Sequence, residues 1–204
     1  MQNHQTYKNR ALDSLEGNWG KGALATLIVF LIEGIVGEGF AYPFNELTGA
    51  GISSIWYMLC LPLEWGFAVF FLNLIRREDT SYERLFDGYK DFVRIFLAEL
   101  LVGLAVFCGV LLLIVPGLIL FTMFSMTEFV LKDNPGMSAT DAMRESARLT
   151  KGHRMDILML MLSFIGWAIL SLMTLGIGCL FLAPYYLSTM AHYYEDLKLE
   201  ASYQ

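Results

Sequence analysis

The chain has 204 residues, of which 56% are apolar and only 17% charged, against about 25% charged in an ordinary soluble domain. A mean hydropathy of +0.51 excludes a disordered or collagen-like chain, and a formal charge of -6 offers no basic field for nucleic acid. Cys60, Cys108 and Cys179 all sit in apolar runs without the spacing of a zinc site or disulfide framework, so neither metal nor cofactor is expected.

In chain order, Tyr7, Ala11, Leu12 and Leu15 form one side of a short helix beside Lys8 and Arg10. An apolar run from Gly20 to Gly37 follows. Reading it as a cleaved signal peptide conflicts with Glu33 inside it, with the missing A-x-A site and with an acidic leader containing Asp13 and Glu16. The connection Glu38 to Ala50, with Pro43 and Asn45, reads as a surface loop before a second run, Gly51 to Ile75. Tyr82, Leu85, Phe86 and Tyr89 fall at i, i+3, i+4 and i+7 opposite Glu83, Arg84 and Asp87, which predicts an amphipathic helix in the headgroup plane.

Two further runs, Phe92 to Val115 and Gly117 to Leu131, meet at Pro116-Gly117, a tight turn signal. Beyond the turn Asp133-Asn134-Pro135-Gly136, Ser138 at N-cap and Asp141 at N3 predict a helix to about Gly152, packed on the bundle or on headgroups. The last runs, Met155 to Leu175 and Gly178 to Tyr194, join at Gly176-Ile177-Gly178.

A bilayer core of about 30 Å takes about 20 apolar helical residues, and each of the six runs approaches that length. The expected fold is therefore all-α: one polytopic membrane domain, residues 1–204, with six transmembrane helices in three hairpins and short cytoplasmic amphipathic helices. All 14 Lys and Arg residues fall on one side of these spans, which places both termini in the cytoplasm. Arg84-Leu85 with Gly88 and Lys90 recurs as Arg148-Leu149 with Gly152 and Arg154, and Leu15-Glu16-Gly17 is a weaker echo. These echoes suggest three units, 1–78, 79–135 and 136–204, with chance similarity of so short a pattern as the alternative.

Ionisable residues within membrane spans are costly and invite a functional reading. Glu99 lies about 8 Å past Arg94 and Glu128 about 6 Å before Lys132, so both are expected to snorkel to the interface. Glu33 lies in the outer half. Glu64, about 18 Å from Arg76, stands near mid-bilayer two residues after Pro62. It is read either as part of a polar site at a broken helix, or as a capping group at N3 of a helix that starts at Pro62. Tyr185, Thr189, His192 and Asp196 share one helical face, either a hydrated path or an aromatic interfacial girdle. The candidate intramembrane polar site is thus Glu33, Glu64, Tyr185, Thr189 and His192. Ala105 and Gly109, and Gly34 and Gly37, are small-residue helix contacts. No GxSxG, HExxH, phosphate-loop or dinucleotide fingerprint occurs, so the protein is not expected to be an enzyme.

Asp133-Asn134-Pro135 with Ser138, Ala142, Ser146 and Lys151-Gly152-His153 resembles an uncharacterised family of bacterial six-helix integral membrane proteins. Gly17-Asn18-Trp19, Ile114-Val115-Pro116-Gly117, Ser163-Phe164-Ile165-Gly166-Trp167 and Pro184-Tyr185 agree with it, and the family is distantly similar to the membrane domain of some glycerophosphodiester phosphodiesterases. The resemblance implies a multi-pass protein of the bacterial cytoplasmic membrane and assigns no activity. The reading that follows is a non-catalytic protein binding lipid, a small amphiphile or a membrane-protein partner, including a second copy, between its hairpins. The alternative is a small proton-coupled transporter using its carboxylates.

Overall fold

The computed structural model describes residues 3–36 and 46–203, and these are all-helical, with no strand among the described residues. Helix α1 (His4–Leu15) is capped by the Asn3 side chain. Helix α2 (Trp19–Phe30) widens into a π turn, Leu31–Val36, that carries Glu33. Helix α3 spans Glu46–Arg76, and a 3-10 helix, Tyr82–Asp91, leads into α4 (Phe92–Leu112). Then come α5 (Ile114–Phe124), α6 (Thr127–Asp133), α7 (Ala139–Leu149), α8 (Arg154–Leu162), α9 (Ile165–Met173) and α10 (Cys179–Ser202).

Among the described residues, four helical stretches are long and apolar enough to cross a membrane: 51–76, 82–112, 114–133 and 154–173. The first and sixth predicted runs are helical where described but are not among these four. In α10 the reason is chemical, since Tyr, His and acidic residues crowd its second half. Of the predicted loop 38–50, residues 38–45 lie outside the described residues and 46–50 already belong to α3.

Helix α3 is the hub. In its apolar stretch 72% is buried, against 17% in the stretch 82–112. Leu63, Phe70, Phe71 and Leu72 have no accessible surface, as expected of a helix apolar on every side. Pro62 stands inside this continuous helix, which overturns its reading as a helix start with Glu64 as cap. Proline removes one N–H from the ladder, and beside that weak point the Tyr89 hydroxyl donates to the Leu59 carbonyl at 3.0 Å.

The segment predicted as an amphipathic α-helix at 82–89 is a 3-10 helix instead. With three residues per turn, Leu85 and Gly88 share a face and are buried, whereas Phe86 and Tyr89 stay partly exposed. Close approach selects glycine here. A Cβ on Gly66 would lie 2.0 Å from the Leu85 carbonyl oxygen, and one on Gly88 would lie 2.2 Å from that of Pro62.

The turn predicted at Pro116-Gly117 falls earlier, at Leu113, whose extended backbone separates α4 from α5. Gly117 serves contact between these helices, because a Cβ there would sit 2.3 Å from Val110. Ser138 caps α7 by accepting from the Asp141 N–H at 3.2 Å. The buried face of α7 docks on the break between α5 and α6: Ser146 donates to the Met123 carbonyl at 2.9 Å and accepts from the Met126 N–H at 3.2 Å. That break would otherwise leave backbone groups unpaired in an apolar setting. The helix ends at Leu149, and the turn that follows passes through Gly152, whose φ of +90° suits a residue without Cβ.

Candidate functional site: a carboxylate layer and its cleft

Four glutamates from separate elements form one electrostatic neighbourhood. The π turn presents Glu33 to Glu64 on α3 within side-chain hydrogen-bonding reach. Glu64 in turn acts electrostatically on Glu99 of α4 and on Glu128 of α6, and Glu99 acts on Glu128. None of the ion pairs among the described residues includes any of the four. Glu64 is exposed and Glu33, Glu99 and Glu128 are half-buried, and a carboxyl withdrawn from water is normally matched by cations or donors.

Glu99 and Glu128, expected to snorkel, both line a cleft of about 630 Å³ between α4, α5, α6 and α10. Cationic side chains do not divert them. Arg94 is engaged by Asp91 at 2.5 Å and by the carbonyls of Leu131, Asn134 and Met137. Glu99 Oε1 is buried with no hydrogen-bond partner among the described residues. The Glu128 backbone is fixed by Trp65, whose indole N–H donates to its carbonyl at 3.0 Å. The cleft walls are apolar, with Val102, Val106, Phe107 and Val110 from α4 facing Phe121 and Phe124 from α5. Phe107, Val110 and Phe121 are also exposed, so the cleft opens sideways on the bundle rather than at its charged end.

The structure divides the predicted polar site. Glu33 and Glu64 come together, whereas Tyr185, Thr189 and His192 serve helix packing on α10. Tyr185 packs edge-on against Phe164 and Trp167, and buried Thr189 donates to the Tyr185 carbonyl at 2.7 Å. His192 Nε2 lies 2.8 Å from the Ser14 hydroxyl, and Asp196 pairs with Arg10 at 2.9 Å. The His192 and Asp196 end of this stripe is bonded to α1. Among the described residues no three His, Cys, Asp or Glu side chains come together as a metal site.

The chain matches the family described as a protein of unknown function, DUF975, over residues 1–126 and 108–201. The chain belongs to this family. No curated protein and no solved structure matches it.

One cluster went unrecognised in the sequence. Asp133, at the end of α6, accepts from Arg76 at 2.6 and 2.9 Å, from the Tyr194 hydroxyl at 3.0 Å and from Lys198. Arg76 also bonds Glu195, so one network ties α3, α6 and α10. The available signal was Asp133-Asn134-Pro135, which carries the family resemblance but reads locally as a turn. Lys8 and Glu145 are also held by neighbours. Burial lowers the Lys8 ammonium pKa, and its Nζ donates to the Ser163 carbonyl at 3.2 Å above the Phe164 ring. The Arg148 guanidinium holds the Glu145 carboxyl below the usual carboxylate range.

Proposed function

We propose that the protein is a non-catalytic membrane protein that binds an amphiphile in the cleft between α4, α5 and α10. It spans the bilayer six times as three hairpins, with the basic end and both termini in the cytoplasm of a bacterial cell. The observation that carries this reading is the cleft itself: about 630 Å³, walled by apolar side chains, open sideways and polar only at its inner end. Small-molecule sites typically occupy about 300–1,000 Å³ and combine apolar walls with a few placed polar groups. An opening on an apolar flank suits a molecule that arrives from lipid.

Gly103 lines this cleft, and a Cβ there meets nothing within 4 Å, so Gly103→Phe fills the space without a backbone clash. The protein purified in maltoside should protect a dodecyl-chain photoprobe crosslink to α4 and α5, and Gly103→Phe should lose it while unfolding at an unchanged temperature. Equal crosslinking in both proteins would defeat the reading. Topology has its own test: in a cysteine-free background, Leu175→Cys should react with an impermeant thiol reagent from outside, and Ser81→Cys and Ser138→Cys should not.

The approach of Glu33 to Glu64 favours a second reading, a proton-coupled transporter, because neighbouring membrane carboxyls are the groups on which such a mechanism carries its proton. Glu64→Gln in proteoliposomes should then abolish a pH-driven flux that the native protein supports. No flux from the native protein would remove this reading.

A further inference from the structure

We infer that the cleft is built for a single-tailed amphiphile with a primary ammonium headgroup, seated on Glu99 beside Glu128. This inference rests on the amphiphile reading above and specifies its ligand. Three observations lead to it. First, the inner end of the cleft carries two carboxylates, while none of its lining residues among those described is Lys, Arg or His. No cationic side chain among the described residues lines the cleft with them.

Second, Glu99 Oε1 is buried and accepts no hydrogen bond from the described residues. A carboxylate oxygen is an acceptor, so its natural complement is an N–H donor. A primary ammonium brings three such donors together with the charge, whereas a quaternary ammonium brings the charge alone. The aromatic walls at Phe121, Phe124 and Tyr186 would favour either cation equally, so the unpartnered oxygen decides between them.

Third, a phosphate-bearing headgroup is disfavoured although phosphatidylethanolamine also ends in a primary ammonium. Its phosphate would have to lie within the same cleft, where no cationic side chain among the lining residues meets it. The ligand is therefore a net cation. The exposed Val110, Phe107 and Phe121 lead outward from the carboxylates and give its alkyl chain an apolar track to the bundle surface.

The test uses the full chain in maltoside and measures displacement of the dodecyl photoprobe by dodecylamine, dodecyltrimethylammonium, dodecanol and phosphatidylethanolamine at pH 7. Dodecylamine should displace it best, with dodecanol and the trimethylammonium compound weaker by about ten- to a hundredfold, the range of one charge-assisted hydrogen bond. Glu99→Gln should erase that preference while leaving dodecanol binding intact, because the apolar track is unchanged. Gly103→Phe should abolish binding of every competitor. If all four compete equally, or if Glu99→Gln leaves the preference for dodecylamine intact, the ammonium assignment falls and the amphiphile reading stands. If Gly103→Phe changes nothing, both fall. If phosphatidylethanolamine competes best, the exclusion of phosphate is wrong and the assignment falls with it.

Discussion

The charged end of the bundle and the carboxylate layer within it treat the same chemical group in opposite ways. At the end, Asp133 is surrounded by Arg76, Lys198 and the Tyr194 hydroxyl, and it joins three helices. Elsewhere the exposed Glu64 and the half-buried Glu33, Glu99 and Glu128 gather without a cation, and Glu99 retains an unpartnered buried oxygen. Desolvating an anion is costly unless charge and donors compensate it, so the first arrangement stabilises the fold and the second burdens it. A protein keeps a burden of that kind where function requires it.

The sharpest way to break this comparison is Asp133→Ala. It strands Arg76 and removes an acceptor shared by Lys198 and Tyr194, and should cost about 3 kcal/mol in an unfolding titration from maltoside into dodecyl sulfate. An unchanged midpoint would show that the network is ornamental. Next in size is the backbone seam that sets Glu64 beside the 3-10 helix. Gly66→Ala puts a methyl 2.0 Å from the Leu85 carbonyl oxygen and should cost about 2 kcal/mol, while Gly103→Ala, which meets nothing, should cost nothing. Equal effects would mean that the 3-10 helix does not bear on α3 as described.

Smaller is the loss expected at α7, where Ser138→Ala removes the cap and should cost about 1 kcal/mol. Hydrogen exchange in 139–149 should quicken, and exchange already at loop rates in the native protein would refute the docked helix. The smallest effect has the opposite sign. Glu99→Met replaces an unpartnered buried acceptor with an apolar chain and should stabilise the protein by up to about 1 kcal/mol. A clear loss of stability would place Glu99 with the structural carboxylates, alongside Asp133.

Much of this architecture follows from the chain alone. Apolar runs of the right length, separated by turn and cap signals, define helices wherever side-chain chemistry is uniform along a segment. Ser138 with Asp141 marked the start of α7, and the apolar stretch after Gly51 marked α3. Only the tertiary structure decided where polar side chains point. Distance along a helix placed Glu99 and Glu128 near the interface, but their direction depends on which neighbour leaves room, and the cleft leaves room inward. Likewise the spacing of Tyr185, Thr189 and His192 defines a face without saying that Tyr185 meets Phe164 and Trp167 while His192 meets Ser14 of α1. Helical periodicity reports one element at a time, and a pairing such as Glu33 with Glu64, or Asp133 with Arg76, depends on crossing angles and close approaches at Gly66, Gly88 and Gly117. Those contacts join residues far apart in sequence, so they exist only once the helices have packed.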